Sequence, residues 1–148
     1  MALWLDAWAK GDHKTRVAIN LAGAFQRHNH VEKALEWHQR ALALSPSNGI
    51  VLCNMGLWFE GRARLERNAL SQQFTQNGLL EPNEYKARLA QANQYLAQAV
   101  VLVREGLKRC PEDPNVRLFA KRVEDHAAGV GVNVIAATEA PASELVLR

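Results

Sequence analysis

Apolar residues recur along this chain at the three- and four-residue spacing of helices almost throughout. In the stretch NLAGAFQRHNHVEKALEWHQRALALSP (20–46), Ala22, Ala34 and Ala41 alternate with Leu21, Phe25, Leu35 and Leu42, and Pro46 closes the run. Strand-like alternation is almost absent before the last twenty residues, and helix-favouring Ala, Leu, Gln, Glu, Arg and Lys dominate. The pattern predicts a short helix over about 2–10, then helices over about 15–28, 31–45, 49–77, 82–109 and 114–127. GDHK, HNH, SPSN, NGLLEP and CPEDPN are the breaks between them. Pro46, Pro82, Pro111 and Pro114 fall at or just outside helix ends, where a missing N–H costs least. The tail, residues 129–148, has no helical periodicity and is expected to be flexible, although its VNVI could add as a strand to a partner.

The apolar pattern also repeats. AINLAGAF (18–25) lies over LCNMGLWF (52–59), so that Asn20 and Asn54, Leu21 and Met55, Ala22 and Gly56, and Phe25 and Phe59 each stand 34 residues apart. The same offset places LWLDAWAKGD (3–12) over WHQRALALSP (37–46), with Trp4 matching His38 and Ala7 matching Ala41.

With this period and these residues the chain resembles the tetratricopeptide repeat family. The resemblance assigns Ala18, Leu21, Ala22, Phe25, Ala34, His38, Ala41 and Pro46 to the eight signature positions, with His38 where a large aromatic residue is usual. Small residues at three of these positions let antiparallel helices approach closely, and large residues fill the spaces between them. The resemblance implies an all-α solenoid of helical hairpins, with a half repeat at 1–12 and a first repeat at 15–48.

The second repeat, 49–111, departs from the pattern. Its opening (Leu52, Met55, Gly56, Phe59) and its close (Ala99, Val103, Gly106, Pro111) fit, but Pro46 to Pro111 spans 65 residues, a surplus of 31. Periodic apolar positions run through the surplus: Leu65, Leu70 and Phe74, then Tyr85, Leu89, Ala92 and Tyr95. Both helices are therefore expected to extend into a hairpin about 40 Å long, with an extra degenerate repeat as the alternative. The last helix, 114–127, turns Val116, Phe119, Ala120 and Val123 to one side and serves as the cap that a solenoid needs on its final apolar face. The helical domain thus covers 1–128.

The first residues carry a second resemblance. LWLDAWAKGDHKTRVAINLA is similar to a segment of the form LWxDxxxKxxxKxRxxxNL that follows the last membrane helix in bacterial multi-spanning glycosyltransferase-like proteins with tetratricopeptide tails. It implies an extracytoplasmic, periplasmic tail tethered to a membrane protein. A free-standing cytoplasmic adaptor is the alternative.

Composition adds little that is specific. The 148 residues are 48% hydrophobic, enough for one domain with a core. The longest aliphatic run is AVVLV (99–103), and no secretory leader is legible, so the chain reads as soluble with no direct membrane insertion. A net charge of +3 from interspersed residues is not a nucleic-acid footprint. Cys53 and Cys110 are far apart and outside any CxxC pair, so they are expected to be free thiols.

Candidate chemistry is sparse. His28 and His30 form an HxH pair in a turn without a Cys or carboxylate at ligand spacing, so no metal or other cofactor is expected. Ser45, Ser47 and Ser71 lack a GxSxG setting, GVGVNV lacks the strand–turn–helix of a phosphate loop, and no catalytic residue is assigned. Trp4, Trp8, Trp37 and Trp58 sit at helical spacing and are expected to pack. One constellation remains. By the resemblance, Asn20 and Asn54 occupy position six of successive repeats, on the helix that lines the concave groove. A carboxamide can hold an extended peptide by both its C=O and its N–H. Arg16 and Arg27 lie one and two turns from Asn20 and could pair with a carboxylate, while Ile50, Cys53 and Leu57 make the groove partly apolar. The family's carboxylate clamp is not reproduced, because Ile19 and Gly23 stand where its Lys and Asn would be. The expected function is a protein-interaction scaffold that binds a peptide or partner protein in the groove and is not an enzyme. Homo-oligomerisation through the long hairpin is one alternative. Nucleic-acid binding, resting on the pI and on GRARLER (61–67), is the other.

Overall fold

The computed structural model describes residues 14–77 and 80–132, together with Leu3 and Leu5, which are helical. Five helices follow in order: α1 (Lys14–Arg27), α2 (Val31–Leu44), α3 (Gly49–Asn77), α4 (Pro82–Arg109) and α5 (Pro114–Gly129). Among the described residues all regular structure is helical, and no helix is long and apolar enough to cross a membrane. Most of the half repeat at 1–12, with Trp4 and Trp8, and the tail beyond Val132 lie outside the described residues.

Local chemistry ends each helix. At the close of α1, Asn29 adopts a positive φ of 62°. The His30 N–H then donates to the Phe25 carbonyl (2.8 Å) and the Asn29 N–H to that of Gln26 (3.1 Å). This pairing satisfies the last carbonyls of the helix and reverses the chain into α2. The Asn48 carboxamide oxygen accepts from the N–H groups of Ile50 (3.0 Å) and Val51 (3.3 Å) and caps α3. Asp113 caps α5 in the same way, accepting from Asn115 and Val116, with Pro114 in the first turn. The end of α5 differs from the sequence expectation. The helix runs to Gly129, and Gly131 at a φ of 75° repeats the α1 motif: the Val132 N–H reaches the Ala127 carbonyl at 2.9 Å, and Val132 packs on the core. The flexible tail expected from residue 129 therefore has ordered structure at its start, because a glycine supplies the left-handed turn that periodicity does not register.

Short connections make sequential neighbours antiparallel. α1 packs on α2, α2 leans on α3, α3 pairs along its length with α4, and α5 lies against both α3 and α4. The core is continuous across these layers. Ala18, Leu21, Ala22, Ala34 and Ala41 are fully buried, and so are Cys53, Met55, Leu96, Ala99, Leu102, Val103 and Val123. Trp37 and Trp58 pack within it, and the Trp58 indole donates to the Val31 carbonyl at 3.0 Å, tying α3 to the start of α2.

The surplus of the second repeat lengthens both helices without a break. At 29 residues α3 is about 43 Å long. At the base of the hairpin the two backbones come close enough that a Cβ on Gly106 would sit 2.7 Å from the Gly49 carbonyl oxygen and 2.6 Å from Cys53 Sγ. Further out, Ala63, Leu70 and Ala92 continue the buried seam, and Arg88 reaches Gln73 (2.7 Å) and Glu66 (3.6 Å) across it. Leu65 and Tyr85, expected among the apolar positions of this pair, are exposed. Two helices without a third layer can enclose only the residues on their common seam. The side chain of Phe74 lies outside the described residues.

Both cysteines are free thiols. Burial pushes the Cys53 thiol up to about 11, with smaller contributions from Cys110 and Asp113.

A buried carboxylate fastens the last helix. Glu60 on α3 is 3% exposed and lies 2.9 Å from His126 Nδ1, 3.7 Å from the Arg122 guanidinium and 3.8 Å from that of Arg64. Replacing Glu60 by Ala is expected to cost about 2 kcal/mol. That is less than the loss of a fully buried ion pair, because His126 and Arg122 reach water and can resolvate. Hydrogen exchange would show it as faster exchange in α5 than in α1; uniform acceleration of both helices would disprove the local fastening.

Candidate ligand cleft

One stripe of α1 faces the next helical layer. Ile19, Gly23 and Gln26 follow the four- and three-residue steps of a helix, and Asn20, Gly23 and Arg27 follow the complementary ones. α2 contributes His38 and α3 contributes Asn54 and Leu57, and together these residues line a cleft of about 310 Å³. Gly23 forms its floor on the α1 side. The Arg27 guanidinium folds back over this glycine, with Nη1 only 3.3 Å from where a Cβ would stand.

The polar groups of the cleft are unsatisfied within the protein. Among the described residues, the side chains of Asn20 and Asn54 make no hydrogen bond, and no carboxylate pairs with Arg27. His38 is 3% exposed, and neither ring nitrogen has a partner. Burial holds its pKa down at about 4, so the imidazole is neutral at pH 7, with one nitrogen a donor and the other an acceptor. None of the lining residues is acidic. The cleft therefore combines one cation, carboxamide and imidazole donors and acceptors, and apolar walls from Ile19 and Leu57.

Of the six groove residues expected from the sequence, Asn20, Asn54, Arg27 and Leu57 line this one cleft. Arg16 and Ile50 are exposed and stand outside its lining. Both lie at the beginnings of their helices, too far back along the axes to reach it. Sequence reasoning did not place Gln26 or His38 in the site. The signal for His38 was present, since a polar ring occupies a position where an apolar aromatic is expected. The signal for Gln26 was its seven-residue offset from Ile19.

Other candidates are accounted for differently. His28 and His30 are exposed, and the His30 ring meets Phe25 edge-on at 6.1 Å. Among the described residues no group of three or more His, Cys, Asp or Glu could hold a metal ion. The arginines of GRARLER turn inward to the hairpin: Arg62 lies over the rings of Trp58 and Tyr95, at 6.0 and 5.8 Å, and Arg67 donates to Asn93.

No family model, curated protein or solved structure matches the chain.

Proposed function

We infer that this chain is a tetratricopeptide-type interaction scaffold, without chemistry of its own, that holds an extended segment of a partner protein against α1 and α3. What carries the reading is the convergence of Asn20 and Asn54. Residues 34 positions apart in the sequence share one cleft, and the carboxamides of both are left without an internal partner. A peptide backbone offers a carbonyl and an N–H in alternation, the complement of a carboxamide. Leu57 and Ile19 supply apolar surface for side chains that alternate with those contacts. The exposed apolar residues of the helices, such as Leu44 and Ile50, extend the surface a partner could cover.

The test is panning of the purified full chain against an array of random, unstructured peptides, alongside an Asn20→Ala/Asn54→Ala variant. The expected result is a set of retained peptides that the double variant loses at unchanged thermal stability. Equal retention by both proteins would remove the cleft from the function, and no retention by either would overturn the peptide-binding reading.

A further inference from the structure

The cleft has a feature that backbone binding leaves unused, namely a buried imidazole with two unpartnered nitrogens beside an arginine without a carboxylate. A buried polar group without a partner is costly, and native proteins rarely keep one without a reason. In a folded core a phenylalanine or tyrosine would fill the same space. The position thus gives up stability, and it does so inside a cleft rather than in the closed interior.

We propose that the cleft between α1, α2 and α3 is a specificity pocket for one acidic side chain, Asp or Glu, carried within an extended peptide, with Arg27 and His38 as its recognition groups. This proposal rests on the peptide-binding reading above and adds the residue that is read. Three observations support it. Arg27 is the cleft's one cation, and with no acidic residue in the lining its charge has no internal counterpart among the described residues. A guanidinium is suited to a carboxylate because it presents parallel N–H groups to both oxygens. His38, on the opposite wall, adds one N–H donor toward the same anion and leaves its other nitrogen to accept from a ligand N–H. The volume, about 310 Å³, is at the low end for ligand sites. It suits one side chain, whose methylenes would lie between Ile19 and Leu57, and is too small for a helix or a sheet edge.

Commitment to a side chain rather than a chain terminus follows from the placement of the asparagines. Asn20 and Asn54 flank the pocket from two helices, so a bound backbone runs past it on both sides. A terminal carboxylate would leave one of these carboxamides empty.

The experiment uses peptides retained by the wild-type chain in the array. Each is resynthesised with its Asp or Glu changed to Asn or Gln, and separately with an amidated C-terminus. The acidic replacement is expected to weaken binding at least tenfold and amidation to leave it unchanged. Arg27→Gln is expected to produce the same tenfold loss and to remove the discrimination between Glu and Gln peptides. His38→Phe is expected to fold and to bind at least tenfold more weakly, and in the wild type the His38 ring-nitrogen NMR shifts are expected to move on peptide addition. If retained peptides carry no common acidic residue, or bind His38→Phe and Arg27→Gln as tightly as wild type, the pocket is not a carboxylate reader, although the scaffold reading stands. Loss on amidation alone would assign the pocket to a chain terminus and overturn the proposal. Displacement of peptides by free acetate or glutamate as effectively as by an acidic peptide would make it a small-anion site and overturn it equally. If the array retains no peptide at all, both readings fall together.

Discussion

Gly106→Val is expected to lower the thermal midpoint by about 10 °C, whereas Gly61→Ala, on the same hairpin, is expected to raise it slightly. Both glycines lie inside long helices, where glycine is worse than alanine by up to about 1 kcal/mol. Helix propensity alone would therefore make both substitutions favourable. Space decides otherwise at Gly106. A Cβ there would stand 2.6 Å from Cys53 Sγ, 2.7 Å from the Gly49 carbonyl oxygen and 3.3 Å from the Cys53 nitrogen. Two of those three atoms belong to the backbone of α3 and can retreat only if the helices separate. Separation would loosen the contacts of Leu102, Val103 and Met55, all fully buried. Overpacking of this kind costs about 3 kcal/mol, which for a domain of this size corresponds to about 10 °C. Around Gly61 a Cβ meets nothing within 4 Å, so the entropic gain is uncontested and is worth about 0.5–1 kcal/mol. Thermal unfolding followed by circular dichroism checks both. Equal midpoints for wild type and Gly106→Val would mean that the α3–α4 approach is looser than described.

The second large effect is acid lability centred on His38, and its removal by His38→Phe. Burial lowers the folded-state pKa to about 4 from an ordinary 6.5. Between those values the unfolded chain binds a proton that the folded chain refuses, so stability falls as the pH drops through this window. The contribution is fully present above pH 6.5 and is lost progressively down to about pH 4. Its size is about 3 kcal/mol. In His38→Phe the loss should vanish, and at pH 7 the variant should be the more stable by about 1–2 kcal/mol, because two buried nitrogens without partners are gone. Urea denaturation of both proteins at pH 7 and pH 4.5 isolates the effect, since the other groups titrate alike in each. A constant difference between the two proteins across that range would show that His38 is hydrated or hydrogen-bonded in solution. Greater stability combined with the loss of peptide binding would be the signature of a residue kept for recognition rather than for packing.

The helical layout was legible because every break in the periodicity coincides with a residue that stops helices for a stated reason. Asn29 supplies the left-handed turn after α1, Asn48 and Asp113 supply side-chain caps, and Pro82 and Pro114 stand in first turns where a missing N–H costs nothing. The surplus of 31 residues in the second repeat read as longer helices because its apolar spacing never lost phase, and α3 and α4 run without interruption through it. Where the pattern misled, the cause was the number of layers. Leu65 and Tyr85 keep the spacing of core residues and are nevertheless exposed, because no third helix lies beside the outer hairpin.

The cleft divides along the same line. Asn20 and Asn54 were marked by a period of 34, and a period along one dimension is a property of the chain itself. Residue order by itself thus determined the helices, their ends, the repeat and the pair of carboxamides, since each depends on neighbours within a turn or on a fixed offset. Only the tertiary structure decided that Arg27 belongs to the cleft and Arg16 does not, that His38 faces it without a partner, and that the arginines of GRARLER are spent inside the hairpin. Those outcomes depend on where α2 and α3 stand relative to α1. Helix packing sets that position through the bulk of side chains such as Trp37, Trp58 and Met55, and no spacing along the chain encodes it.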